Sequence, residues 1–213
     1  MFENNSSAPK RLFLARHGES VANQQKLISG QLDTPLTGKG KDQAQWLCDV
    51  LKNESLSAIY TSSLSRAVET AKPTANYHGI EIQQIDNLKE IHFGLLQGNP
   101  VDVLDTPPQA LCQNSMKDTQ GLAITGGETL TTFERRITDQ LELMLQHHRG
   151  IALIVAHRNT NEMILSKLLG LTHAVNVKNK YLYEITLGDP PSVNTIRLGG
   201  EFHGKKFVGL KDE

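Results

Sequence analysis

The sequence predicts an α/β fold, a three-layer α/β/α sandwich around a mainly parallel sheet. Three observations carry this expectation. Strand-like and helix-like segments alternate along the chain, the order that parallel βαβ units require. Residues 151–156, Ile-Ala-Leu-Ile-Val-Ala, are apolar at every position, as a strand covered on both faces must be. No internal repeat or low-complexity tract interrupts the pattern, and 213 residues with 38% hydrophobic content suit one domain spanning 1–213 with a sizeable core.

The first strand is expected over residues 11–15. A helix from about 38 to 52 follows, because Ala44, Leu47, Cys48 and Leu51 recur at helical spacing behind Thr37, a residue suited to capping. A second strand over 58–61 leads into a helix over 64–77, which Pro73 should kink and Gly79 can end in a left-handed turn. Residues 80–85 read as a third strand. Residues 99–127 are rich in proline, glycine and polar side chains without periodicity, and read as a lid-like insertion over one end of the sheet. A long helix over 129–148 is marked by Leu130, Phe133, Ile137, Leu141, Met144 and Leu145 and leads through Gly150 into the apolar, central strand. A helix over 161–169 stops at Gly170, and residues 181–187, 195–198 and 206–208 read as later strands in a partly antiparallel section.

Charge and composition exclude several classes. Lysine plus arginine (22) nearly balance aspartate plus glutamate (23), so the net charge of -1 predicts neither nucleic acid nor an anionic membrane surface as partner. The N-terminal MFENNSSAPK has no apolar stretch of signal length, and the longest apolar run, 151–156, is too short to cross a bilayer, so a cytoplasmic protein is expected. Cys48 and Cys112 lie far apart without zinc-site spacing and read as plain thiols.

Several expected strands end just before ionisable residues. Ala15 precedes Arg16 and His17, Thr61 precedes the turn to Arg66, Ile85 leads to Glu90, and Ala156 precedes His157. The carboxyl ends of parallel strands border the ligand crevice of an open sheet, so these residues can share one pocket. Two arginines, two histidines and one carboxylate suit a phosphate group: guanidinium forks bind its oxygens, an imidazole can attack phosphorus, and the glutamate can move a proton. An Arg66–Glu69 pair on a solvated helix face is the competing reading of Arg66.

Four motifs in order make a family resemblance specific. Leu14-Ala-Arg-His-Gly-Glu-Ser20 with Asn23, and then Asp33-Thr-Pro-Leu-Thr37 with Gly40, resemble the signature of the histidine phosphatase superfamily, the phosphoglycerate mutase-like enzymes of its branch 1. Ser62-Ser-Leu-Ser-Arg-Ala-Val-Glu-Thr-Ala71 is similar to its second arginine motif, and Lys89-Glu-Ile-His-Phe-Gly-Leu-Leu-Gln-Gly98 to its acid-bearing motif. Gly126-Gly-Glu128 resembles the segment that opens the long helix, and Val155-Ala-His157 the second-histidine motif. The resemblance spans residues 11–187 and implies a phosphoglycerate mutase-like fold. It implies that His17 becomes phosphohistidine, that Arg16, Arg66 and His157 hold the phosphoryl oxygens with help from Asn23, and that Glu90 serves as acid and then base. It implies no metal and no cofactor, and a small phosphorylated substrate. In that scheme His17 must be neutral at its attacking nitrogen while His157 works best as a cation, so the two should titrate differently.

The chain departs from the family pattern after the second histidine, where Arg158-Asn159-Thr160 stands in place of the usual glycine. Arg158 is either a further cationic contact to an anionic substrate or a solvated helix-start residue. The long insertions of cofactor-dependent mutases are missing, which favours a phosphoric monoester hydrolase of histidine acid type. A phosphoglycerate-type mutase and a non-catalytic phospholigand-binding protein are the alternatives. Thr37-Gly-Lys-Gly40 is not a P-loop, because Gly30 lies too far ahead of Lys39 and no serine or threonine follows that lysine. A zinc site of His17, His157 and Glu90 would be repelled by the adjacent arginines.

Overall fold

The structure is a computed structural model and describes residues 10–102, 122–148, 150–171 and 175–211. Strands β1 (Lys10–Arg16), β2 (Leu56–Ser62), β3 (Ile82–Ile85), β4 (Ile151–Ala156), β5 (Tyr181–Leu187), β6 (Ser192–Arg197) and β7 (Lys206–Val208) join in one sheet ordered β3-β2-β4-β1-β5-β6-β7. The first four run parallel, and β5, β6 and β7 add antiparallel to the edge beyond β1. Apolar β4 lies between β2 and β1 with five residues buried, the interior place its composition demands.

Helix α1 (Val21–Gln24) is a single turn in the loop after β1, and helices α2 (Gly38–Leu51), α3 (Ser65–His78), α4 (Leu130–His147) and α5 (Arg158–Leu169) cover the sheet. Successive strand residues point to opposite faces, so each strand feeds two cores. Phe13, Ala15, Leu153 and Val155 pack with Leu47 and Leu51 of α2 and Ala67, Ala71 and Ala75 of α3. Leu12, Leu14, Ala152, Ile154 and Ala156 pack with α4 and α5 on the other side, completing three layers. The four buried side chains of α4, Phe133, Ile137, Leu141 and Met144, follow its helical period. Each contributes roughly 1.5–3 kcal/mol by leaving water.

Thr37 caps α2 by accepting from Gly40 N, as expected. Several boundaries differ from the sequence expectation, β2 among them, which begins at Leu56 rather than Ala58. β3 begins at Ile82 because the N–H groups of Gly79 (φ 64) and Ile80 both return to Ala75 O and close the helix before the strand can start. α3 itself runs through Pro73 without ending. α5 begins at Arg158 rather than Asn161, since Asn161 N already donates to His157 O at 2.9 Å. β6 begins at Ser192, where antiparallel pairing with β5 enrols the polar Ser-Val-Asn stretch. Most of the insertion read over 99–127 lies outside the described residues, as do Cys112 and His173. Cys48 is a buried free thiol on the apolar face of α2.

Candidate functional site

Parallel pairing places the two histidines side by side. β1 and β4 are neighbours in the register Arg16↔Ala156, so His17 and His157 each stand one residue past an adjacent strand end. His17 N donates to Ala156 O at 3.0 Å, and the ring centres are 5.1 Å apart at 58°, close to the spacing between strands. A tight approach of backbones holds this corner. A Cβ on Gly18 would stand 2.5 Å from Gly40 O, and one on Gly40 would stand 2.1 Å from Glu19 O, so both motif glycines are required by space. Gly18 N also donates to Thr70 Oγ1 at 2.9 Å, tying the loop to α3.

A hydrogen bond sets the His17 tautomer. His17 Nδ1 lies 2.7 Å from Gly18 O, which can only accept, so Nδ1 carries the proton and Nε2 keeps its lone pair. Ser62 Oγ lies 2.7 Å from His157 Nε2 while accepting from Leu64 N, so the hydroxyl can donate to that nitrogen. His157 Nδ1 is a fully buried atom without a partner. Burial, then Arg66 and Arg16, push the His17 pKa well below 6.5, with the Gly18 hydrogen bond opposing. His157 is likewise pushed well below 6.5, by burial first and then by Arg66, His17 and Arg16. Both imidazoles are pushed in the same direction, toward the neutral form, because they share one dry, cationic environment.

The guanidinium groups are bound to backbone. Arg66, 1% exposed, donates from Nη1 to Leu32 O and from Nη2 to Gly30 O, both at 2.7 Å, while its Nε has no partner. It is not a solvated partner of Glu69. Burial lowers its pKa to about 10, with Glu90 and Asp33 favouring the cation, so it remains charged at neutral pH. Arg16 donates from Nη1 to Val177 O at 3.2 Å and leaves Nε unpartnered, its pKa lowered by burial against the pull of Glu90. A buried Arg66 and a partly buried Arg16, each with an unused donor, are chemically suited to receive an anion.

Glu90 is aimed by backbone amides. Its Oε1 accepts from Ile91 N at 3.0 Å and its Oε2 from Asn159 N at 3.2 Å. Asn159 belongs to the first turn of α5, whose cap residue His157 supplies no side-chain acceptor. The glutamate therefore satisfies a helix-end donor that would otherwise be orphaned, and it gains from the helix dipole.

These groups wall a cavity of about 190 Å³ with Ile28, Phe93 and Val101 on its apolar side. Arg16, His17, Asn23, Arg66, Glu90 and Arg158 all line it. His157 is not part of the wall and lies wholly buried against His17. Asn23 is also a capping residue, its Oδ1 accepting from Ser20 N at 3.2 Å, which leaves its amide NH2 to donate. Arg158 stands half-exposed at the rim, with Nε 3.1 Å from Glu162 Oε1. Among the described residues no group of three or more His, Cys, Asp or Glu side chains could hold a metal ion, and no helix is long and apolar enough to cross a membrane.

The model of the histidine phosphatase superfamily (branch 1) matches residues 12–198. The chain belongs to that superfamily. Among curated members, the probable phosphoglycerate mutase GpmB of Yersinia enterocolitica is 33% identical over 162 residues, 76% of this chain and 75% of that one. The alpha-ribazole phosphatase of Shigella flexneri is a solved structure with TM-score 0.75 and 25% identity, covering 94% of this chain and 99% of its own. A phosphoglycerate mutase of Bacillus anthracis shares the fold at TM-score 0.73 and 22% identity, covering 97% of this chain and 94% of its own. The fold is therefore phosphoglycerate mutase-like, and the superfamily's enzymes are phosphatases and mutases.

Sequence reasoning assigned no part to Ser62, whose Oγ meets His157 Nε2, to Asn159, which aims Glu90 through its backbone N, or to Gln31, whose Nε2 donates to Glu90 O at 3.0 Å. Ser62 was within reach, as a polar residue at a strand end beside the second-histidine strand. Asn159 acts through a main-chain donor and Gln31 on a main-chain acceptor, and such atoms leave no residue-type signal.

Proposed function

We propose that this superfamily member is a phosphomonoester hydrolase that works through phosphohistidine at His17 on a small phosphorylated metabolite. The observation that carries the reading is the His17 tautomer: Nδ1 is held by Gly18 O, so the Nε2 lone pair is left beside Arg16 and Arg66 in the cavity wall. In this reading the unused guanidinium donors and the Asn23 amide bind the phosphoryl oxygens, and Nδ1–H of His157 donates to the innermost one. Nε2 forms its bond to phosphorus as the bond to the leaving oxygen breaks, and Glu90 gives that oxygen a proton. Water then attacks the phosphohistidine, Glu90 takes its proton, and phosphate departs with His17 neutral again. None of these steps calls on a metal or a cofactor, and a cytoplasmic setting suits the reading.

The likeness to the alpha-ribazole phosphatase supports hydrolysis, whereas the 33% identity to the probable phosphoglycerate mutase favours a second reading, transfer of the phosphoryl group back to a substrate hydroxyl. Both share the first half-reaction. A panel of phosphorylated metabolites, assayed in EDTA for free phosphate and for isomerised product, separates them. Phosphate release without isomerisation is expected; isomerisation without net phosphate would replace hydrolase by mutase, and neither product would leave a phospholigand-binding protein.

A further inference from the structure

The loop that carries Glu90 belongs to no strand or α-helix, yet its carbonyls converge on one side chain. Arg136, in α4, donates from Nη1 to Asn87 O at 2.7 Å and to Lys89 O at 2.8 Å, and from Nη2 to Glu90 O at 3.0 Å. Its other edge is gripped by Glu128, with Nε 2.6 Å from Oε1 and Nη2 2.9 Å from Oε2. The guanidinium carbon lies 4.8 Å from the centre of the Phe133 ring, a core residue, which fixes the plane of the fork. Glu128 is itself placed by the chain around it: its N donates to His92 O at 2.8 Å, and the glycines of the two segments nearly touch. A Cβ on Gly94 would stand 2.0 Å from Thr125 O, and one on Gly127 2.5 Å from His92 O.

We infer that Arg136, held by Glu128, is the positioning residue of the Glu90 carboxylate: it sets the height of the 86–90 loop above the cavity, and so whether Glu90 reaches the leaving oxygen. This rests on the acid reading of Glu90 given above. Arg136 does not line the cavity, so it reaches Glu90 through the three carbonyls, while its charge also acts at longer range on His157. A flexible ammonium cannot span them as a planar fork does. Displacing a reacting group by about 1 Å costs on the order of a hundredfold in rate, whereas a merely structural arginine would weaken the fold and leave leaving-group preference untouched.

The test compares burst-phase phosphorylation of His17 by phenyl phosphate, a poor leaving group, and by p-nitrophenyl phosphate, a good one. The proteins are the wild type, Arg136→Gln, Arg136→Lys, Glu90→Gln and the double variant Glu90→Gln/Arg136→Gln, with melting temperatures recorded in parallel. Arg136→Gln is expected to slow phenyl phosphate by roughly 10- to 100-fold and p-nitrophenyl phosphate by no more than about threefold, with Arg136→Lys in between. In the Glu90→Gln background the same change should add little, since its route to the reaction is already removed. Glu128→Gln/Arg136→Gln, which leaves no lone buried charge, replaces the single variant if that one does not fold. Equal losses on both esters, or full additivity, would overturn the inference while Glu90→Gln alone remains selective. If Glu90→Gln itself is unselective, the acid assignment fails and this inference with it.

Discussion

The rings of His17 and His157 stand 5.1 Å apart, and a proton gained by either imidazole is opposed by burial and by the Arg66 and Arg16 guanidiniums, with His17 further opposing one on His157. Both are held neutral in the fold, whereas an unfolded chain takes up protons near pH 6.5. As pH falls through about 6.5 the unfolded state therefore binds more protons than the native one, and stability is lost from there down to the folded-state values. Above about 6.5 this contribution is fully present. The expected slope is at most about 1.4 kcal/mol per pH unit for each imidazole. Urea unfolding of wild type and His157→Gln between pH 5 and 8 measures it: the variant should show the shallower fall. Parallel curves would mean that His157 is not neutral in the fold.

His17→Ala should lower kcat/KM by roughly 10⁴-fold or more in EDTA, because the covalent route goes with the nucleophile. An acid-labile, base-stable phosphoryl label on the wild type should be missing from the variant. The fold should survive, since the residue's backbone donation to Ala156 O does not depend on the side chain. Retention of near-wild-type turnover would reject His17 as nucleophile.

Arg66→Lys replaces a fork that serves Gly30 O and Leu32 O by a single ammonium. A loss of roughly 1–3 kcal/mol in stability is expected, the range for a buried acceptor left unmade. Affinity for inorganic phosphate should fall about tenfold or more. Calorimetry on the apo and phosphate-loaded protein reads both quantities, and an unchanged phosphate affinity would remove Arg66 from the anion receptor.

Arg158 shares its charge between the cavity rim and Glu162, whose carboxyl is pushed up chiefly by burial and held down by Arg158. Arg158→Gly should raise KM about tenfold for phosphomonoesters that carry a second anionic group, and barely change p-nitrophenyl phosphate. No change on either class assigns Arg158 to solvent and Glu162. Equal change on both assigns it to the shared phosphoryl pocket.

The linear chain settles more of this site than its small size suggests. Residue types at strand ends already put Arg16, His17 and Glu90 beside one crevice, with His157 buried just behind it, because parallel strands must end together. Periodicity located α2 and α4, since each buries one continuous stripe. Protonation and aim were decided only in three dimensions. His17 and His157 were expected to titrate differently, and adjacent, registered strand ends place both in one dry cationic corner that pushes both pKa values down. Arg66 kept a competing reading as a solvated partner of Glu69 until the turn after β2 carried it inward against the carbonyls of Gly30 and Leu32. The grip of Arg136 on residues 87, 89 and 90 was illegible, because its partners are main-chain oxygens, which every residue possesses and only tertiary packing can bring within reach.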